Sequence, residues 1–234
     1  MVDLSNVIGQ GSPGKAVEAY YYASQEQRGY LGLSECGHEC KRFLWYRHHG
    51  YPSAQIDGRA LRLFQLGNNI EDQAVKDLRS AGFMVTCRQK EVEFTFNGIT
   101  LRGHIDGVIE GLVESSKPHL LEIKSANDKE FKRLLKCGSY MKWHPKYYAQ
   151  IHVYAMGLEL KRILAYVECK DDSRIYTERI KTNTEYAVNL LQDVFEAISK
   201  PEPPERNCPS PSWYIAKWCD FSEICFAECR TGGG

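Results

Sequence analysis

A chain of 234 residues with 43% hydrophobic content and negative mean hydropathy is long enough for one sizeable core and too apolar to stay disordered. Lys plus Arg equal Asp plus Glu at 30 each, which excludes a global field that draws in a polyanion, so nucleic-acid binding requires a local basic patch. No stretch reaches the roughly eighteen apolar residues of a membrane span, and residues 1 to 5 lack the basic and apolar regions of a secretory signal. No membrane association is expected, and the expected compartment is the cytoplasm, that of the host for a phage-encoded chain. Thiols stay reduced there, and nine cysteines, an odd number, point to metal ligation by a subset rather than to a disulfide framework.

Ser12-Pro13 opens a helical pattern over residues 13 to 29, with the aromatic run Tyr20-Tyr21-Tyr22 inside it. The stretch from Cys36 to Arg47 is basic and aromatic, with helical character. A helix over 58 to 80 stops at Ala81-Gly82, and its stripe runs Leu61, Phe64, Asn68, Glu71, Val75 and Leu78 at spacings of three and four. Strands are predicted at 92–96, 99–101 and 104–109, punctuated by Asn97-Gly98, a hairpin signal, and by Asp106-Gly107. Another covers 120–125. A basic, aromatic-rich connection over 128–144 leads to a helix that begins at Pro145, with Tyr148, Ile151, Ala155 and Leu158 on its buried face. Strands follow at 162–169 and 174–181. Thr182-Asn183-Thr184-Glu185, a capping-box pattern, then opens a helix that carries Ala187, Leu191, Val194 and Ile198. The chain divides into an N-terminal helical segment (1–30), an α/β core (31–200) and a Pro-rich linker with a cysteine-bearing tail (201–234).

Four of these elements carry polar residues that a core alone does not require. In Leu121-Glu122-Ile123-Lys124 a strand puts Glu122 and Lys124 on one face and the two apolar residues on the other. A carboxylate beside an ammonium can ligate Mg²⁺ and stabilise charge on a phosphate; an exposed face with a salt bridge is the plainer reading of so common a pair. Gly103-His-Ile-Asp106-Gly107 reads as a tight turn, or as a carboxylate beside a strand that can share a cation with Glu122. Glu71 lies on an apolar stripe, where an ionised carboxylate is costly unless paired or metal-bound. Asp72 competes for that role, and Gly67, one turn earlier, allows another backbone to approach. Gln150 and Tyr154, at i and i+4, project from one helix face and can hold a lysine or a phosphate, or can be a surface amide and a core phenol.

Taken in order, the helix glutamate, the Gly-His-x-Asp-Gly segment, the Glu-x-Lys strand and the Gln-x₃-Tyr helix resemble the PD-(D/E)XK nuclease superfamily. The resemblance is to its RecB-like and phage-exonuclease branch, which includes the CRISPR-adaptation nucleases, and it covers roughly residues 31 to 229. It implies a restriction-endonuclease-like α/β core, with a mixed central sheet flanked by helices. It implies Mg²⁺ or Mn²⁺ held by Glu71, Asp106, Glu122 and the backbone carbonyl of Ile123, with Lys124, Gln150 and Tyr154 completing the catalytic set. The implied activity is a DNA nuclease, an exonuclease of phage-type recombination or repair that acts on single strands or duplex ends beside a recombination partner protein. A structure-specific endonuclease or nickase is the alternative among nucleases. From other classes, a catalytically silent nucleic-acid- or partner-binding module and a metal-bearing regulatory protein remain open.

The resemblance extends to the entry segment Gly37 to Arg47. In the family one N-terminal cysteine joins three C-terminal ones around an iron–sulfur cluster. Cys40 fits the N-terminal place. Cys219 and Cys225 meet the last two positions of the C-terminal pattern Cys-x₂-Cys-x₅-Cys, but Ala216 stands where the first cysteine belongs. Cys208, with Cys229 as the alternate, completes the set Cys40, Cys208, Cys219 and Cys225, for a 4Fe-4S cluster or for Zn²⁺. Free thiols are the plainer reading. Cys87, Cys137 and Cys169 are expected as packing residues.

Lys129, Lys132, Arg133, Lys136, Lys142 and Lys146 interleave with Phe131, Tyr140, Trp143 and Tyr147 between the Glu-x-Lys strand and the Gln150 helix. Lysines there can neutralise phosphates, and aromatics can stack on unpaired bases. Lys132, Arg133, Lys136, Lys142, Trp143 and Lys146 are the expected DNA contacts. Lys41, Arg42, Arg47, His48 and His49 form a second candidate patch. Neither contains a sequence-reading motif, so little base specificity is expected.

Overall fold

The computed structural model describes residues 12–25, 29–113 and 115–227. In chain order it runs α1 (Pro13–Ala23), α2 (Lys41–His48), α3 (Gly58–Ser80), β1 (Met84–Thr86), β2 (Glu91–Phe96), β3 (Ile99–His104), β4 (Gly107–Glu110), β5 (His119–Ala126), α4 (Asp128–Cys137), α5 (Tyr140–Trp143), α6 (Pro145–Gly157), β6 (Arg162–Cys169), β7 (Ile175–Lys181), α7 (Thr184–Ile198) and α8 (Ser222–Ala227). Strands β1, β4, β5, β6 and β7 form one sheet in that order, with β5 and β6 parallel and the other pairs antiparallel. This is the expected architecture, a mixed central sheet between helices. Leu121 and Ile123 pack with Ala74 and Val75 of α3, whereas Leu120 belongs to the larger core with Ile151, Val153 and Ala155 of α6. Covered on both faces, β5 and β6 read as near-continuous apolar runs. Among the polar residues that interrupt β5, Glu122 is fully buried.

Strands β2 and β3 form a separate hairpin. Asn97 and Gly98 close it, both left-handed at φ 49° and 80°, as the two-residue turn favoured by right-twisted strands requires.

Some expectations change. Helix α1 ends at Ala23, and residues 26 to 28 of the longer predicted helix lie outside the described ones. The strand predicted over 104–109 is divided: β3 ends in the hairpin, β4 begins in the main sheet, and Ile105-Asp106 cross between them. The connection over 128–144 is helical. Asn127 caps α4 by accepting from the Glu130 N–H at 2.9 Å, Gly138 ends it in the left-handed conformation, and Phe131 and Leu134 bury its apolar face. The cap of α7 is Asn183 rather than Thr182, accepting from the Tyr186 N–H at 2.9 Å. Of the predicted stripe of α3 only Val75 is fully buried, beside Ala74, which the stripe did not include; Phe64 is exposed, because the first turns of α3 lie along α1 rather than on the sheet. β1 is only three residues long, too short for its alternation to announce it, and is held by pairing with β4, by Arg79 Nη2 donating to the Val85 carbonyl at 2.7 Å and by Val85 packing with Ala74 and Val75.

The tail packs back on α2. Trp45 Nε1 donates to the Lys200 carbonyl at 2.8 Å, Arg42 donates to the Pro204 carbonyl at 3.0 Å, and Phe221 is buried against Phe43 and Tyr46. Among the described residues no helix is long and apolar enough to cross a membrane.

Candidate active site

Strand alternation carries Glu122 and Lys124 to the face of β5 opposite Leu121 and Ile123. The register Gly107↔Leu121 brings Asp106, at the crossing into β4, alongside them. Asp106 Oδ2 accepts from the Ile123 N–H at 2.7 Å. Lys124 Nζ lies 2.5 Å from Glu122 Oε1 and 3.9 Å from Asp106 Oδ2, and donates to the Ile123 carbonyl at 3.2 Å. The ammonium thus sits between two carboxylates. The short contact to Glu122 is an ion pair rather than an aligned hydrogen bond, and both carboxylate oxygens of Glu122 are buried without one. Burial pushes the Glu122 carboxyl above the usual carboxylate range; Lys124 opposes this, while Asp106 and Glu71 add to it. Burial alone would lower Lys124, but Glu122 and Asp106 outweigh it and hold the ammonium charged.

Glu71 reaches the site from the middle of α3. It accepts from Arg88 Nη2 at 2.8 Å and from Gln89 Nε2 at 3.0 Å. Burial and the charge of Asp106 raise its carboxyl, against the pull of Arg88. Asp72, its competitor, is on the outer side and binds Arg88 Nη1 at 2.8 Å. Glu71, Asp106, Gln150 and Tyr154 line one open cleft of about 790 Å³ with Asn68 and His104, so the structure brings these four predicted residues together. Glu122 lies buried beside this cleft, and the carboxylate oxygens of Glu71, Asp106 and Glu122 are not all within 4.8 Å of one another. Among the described residues the donors that do meet at that distance are Asp128, Cys169 and Asp172, whose carboxylates already pair with Lys132 and Arg174.

The close approach expected at Gly67 is absent: a Cβ there would meet only Ser125 Oγ, at 3.8 Å. It occurs instead at Gly103, where a Cβ would fall on the hydroxyl end of Tyr154. Burial and the charge of Glu122 keep that hydroxyl protonated. Sequence reasoning missed Arg88 and Gln89, which lie in a loop with no motif. Tyr140, expected to stack on bases, is not available to do so, whereas Tyr147 is half-buried on the wall of an open groove. Tyr140 is fully buried beside the Glu122–Lys124 pair with its hydroxyl unpartnered, and the Tyr147 ring centre is 5.2 Å from Lys124 Nζ.

The predicted DNA-binding segment is only partly presented. Phe131 and Trp143 are buried, and Trp143 packs on Tyr140 and Tyr147, so neither ring is offered to a base. Lys132 and Arg133 are exposed and pair with Asp128 and Glu130, and Lys136 and Lys142 are exposed. Arg133 and Lys146 line a groove of about 760 Å³ with His144, Tyr147 and Tyr214, and Tyr147 connects it to Lys124. The second patch is occupied internally. Arg47 is buried and pairs with Glu35 at 3.3 Å and with Asp220, Arg42 bonds the tail, Lys41 pairs with Asp193 at 3.3 Å, and His49 stacks on Trp45.

Cys40, Cys208, Cys219 and Cys225 line one small cavity of about 20 Å³ between α2 and the tail; Cys229 lies outside the described residues. Burial raises Cys40, Cys208 and Cys219, the last to about 11, and the nearby Cys225 adds to each of these rises. No three of the four sulfurs lie within 4.8 Å of one another. A tetrahedral zinc with Zn–S of about 2.3 Å would draw them to about 3.8 Å, so the set is wider than one such ion requires. Cys169 is buried and Cys137 half-buried, as expected, whereas Cys87 is exposed.

No model of a known family matches the chain, and no curated protein matches its sequence. Solved structures do match. That of SSO0001 is similar with a TM-score of 0.51 at 16% identity, over 92% of this chain and 97% of that one. That of an alkaline exonuclease, LHK-Exo, from Laribacter hongkongensis is similar with a TM-score of 0.51 at 15% identity, over 77% of this chain and 91% of that one. The likeness is one of fold.

Proposed function

We propose that the chain is a divalent-metal-dependent deoxyribonuclease, an exonuclease that acts on single strands or duplex ends in recombination or repair. Glu122 carries this reading. Its carboxylate is fully buried without an aligned hydrogen bond, and it converges with Asp106 on one ammonium beside a cleft that Glu71, Gln150 and Tyr154 line. A carboxylate so buried is costly to the fold, and such groups concentrate at functional sites. The fold likeness to an alkaline exonuclease supports the same reading.

The donor set fits Mg²⁺ or Mn²⁺: Asp106, Glu122 and the Ile123 carbonyl offer hard oxygens, with Glu71 on the cleft wall. Bound there, such an ion supplies Lewis-acid polarisation of a phosphate and a water acidified toward neutral pH. The protein's own groups do the rest. Asp106 fixes the β5 backbone through the Ile123 N–H. Lys124, kept charged, presents its ammonium to the negative charge that builds on the phosphate oxygens in the transition state. The protonated Tyr154 hydroxyl and the Gln150 amide offer donors to the same oxygens from the cleft wall. Arg133 and Lys146 hold the strand in the adjoining groove. The four cysteines, set wider than zinc requires, are read as ligands of a 4Fe-4S cluster that ties the tail to α2; zinc in place of iron and sulfide in freshly purified protein would overturn that assignment.

The test is digestion of end-labelled linear and circular DNA, with Mg²⁺ and with chelator, beside Lys124→Ala. Linear DNA should be degraded only with the ion, circles should survive, and the variant should fold and be inactive. Cut circles would make it an endonuclease. A wild-type protein that leaves all DNA intact would make it a silent binding module.

A further inference from the structure

The end of the main sheet remote from Lys124 carries a second concentration of charge. Arg162 opens β6 and Lys181 closes β7, and the two are direct cross-strand partners, with Arg179 opposite Leu164 two residues along. Like charges directly opposed destabilise a sheet, so the pairing has no structural reason. Lys161 is drawn in as its carbonyl accepts from the Thr182 N–H at 3.1 Å. With His119 at the start of β5, these residues wall an open cavity of about 500 Å³ with no carboxylate among the described residues that line it. His119 is buried and donates from Nδ1 to the Lys117 carbonyl at 2.9 Å, which fixes the floor of the cavity. Lys161, Arg162 and Lys181 are exposed and make no ion pair among the described residues.

Residues two apart on a strand, and cross-strand partners, share a face. The registers Leu121↔Leu164 and Leu164↔Arg179 therefore put His119, Arg162, Arg179 and Lys181 on the face of Leu121 and Ile123, opposite Glu122 and Lys124. From His119 to Lys124 is about 17 Å of strand. In a chain of net charge zero, Lys161, Arg162 and Lys181, exposed and without an ion pair among the described residues, make a local field for a polyanion.

We infer that this cavity is a second nucleic-acid contact, which holds the phosphate backbone of the substrate outside the catalytic cleft. The inference rests on the nuclease reading above. At about 3.4 Å per base pair, the separation corresponds to about five base pairs, so the cavity engages phosphates at least that far from the scissile one. It positions the polymer and reads no bases.

The test compares wild type with the triple variant Lys161→Ala, Arg162→Ala, Lys181→Ala. Binding to a duplex of about thirty base pairs and to a strand of about four nucleotides is measured in chelator across a salt series. The variant should bind the duplex at least about tenfold more weakly at low salt. The slope of log affinity against log salt should fall by about 2 to 3, since each phosphate contact contributes about 0.9. The short strand should lose less than about twofold. Wild-type affinity and slope on the duplex, or an equal loss on both ligands, would overturn the inference. So would retention of polyglutamate by wild type and not by the variant with duplex binding untouched, which would mark a protein contact. A wild type that neither binds nor cuts DNA would defeat the nuclease reading instead.

Discussion

The Arg88 guanidinium donates to Glu71 Oε1 at 2.8 Å and, through its other terminal nitrogen, to Asp72 Oδ1 at 2.8 Å, so the helix glutamate of the cleft is oriented from the loop between β1 and β2. Gln89 adds a second donor to the same Glu71 oxygen at 3.0 Å. The residues flanking Arg88, Cys87 and Gln89, are both left-handed, at φ 52° and 54°. Side-chain-bearing residues take that conformation at a cost of about 1–2 kcal/mol, so these bonds hold the loop against its own preference. Arg88→Ala should cost about 1–2 kcal/mol of stability in chelator, and Glu71→Gln should add little once Arg88 is gone. Asp72→Ala should cost less than about 0.5 kcal/mol, because that partner is exposed. Urea unfolding of the single and double variants measures the coupling; strictly additive losses would show that the fork holds nothing.

Gly103 and Tyr154 form the tightest glycine contact beside the cleft. A Cβ on residue 103 would stand 2.8 Å from Tyr154 Cε1, and the ring is buried and cannot swing clear. Gly103→Ala should therefore destabilise by about 1–3 kcal/mol through overpacking. In a Tyr154→Ala background the same substitution should be nearly neutral, because the obstructing ring is gone. A full loss in both backgrounds would locate the requirement in the β3 backbone instead.

The contrast between Glu122 and Arg88 shows where sequence was informative. Glu122 and Lys124 are two apart in a strand bounded by apolar residues, so their common face follows from the pleat alone. Asn97-Gly98 likewise dictates its own turn. Arg88 acquires its role only when a three-residue edge strand docks on β4, an event with no local periodicity to announce it. Helices α4 and α5 were hidden differently: Asn127 and Gly138 mark the ends of α4, but its dense lysines read as a solvated connection. Trp143 and Tyr140 looked available for stacking in a basic segment. Burial of one helix face, a tertiary fact, removes them from solvent.

Buried, unaligned Glu122 oxygens make ion binding measurable as stability. An ion that binds only the folded state adds about 2.7 kcal/mol at a hundred times its dissociation constant. Wild type should gain about that much on moving from chelator to saturating Mg²⁺, and Glu122→Gln and Asp106→Asn should both lose the increment. An increment that survives in both variants would place the ion elsewhere.

His152, fully buried on α6, should make the fold acid-sensitive. Its Nδ1 accepts from the N–H of Asn183, the cap of α7, at 3.0 Å, and its Nε2 is buried without a partner. Protonation would replace that acceptor with a second N–H pointing at a donor. Burial lowers the ring from 6.5 to about 4. A histidine depressed in this way stabilises fully above its unfolded value, because both states are then neutral. As pH falls below 6.5 the unfolded chain takes a proton that the folded chain refuses, so stability declines progressively down to about 4. His38 and His144 are also lowered to about 4 and act in the same window. His152→Gln keeps an acceptor for Asn183 and removes the titration. Its loss of unfolding free energy between about pH 7 and pH 4.5 should be smaller than that of wild type by about 1–3 kcal/mol. Equal losses would mean that His152 is protonated in the folded chain without disturbing the α7 cap.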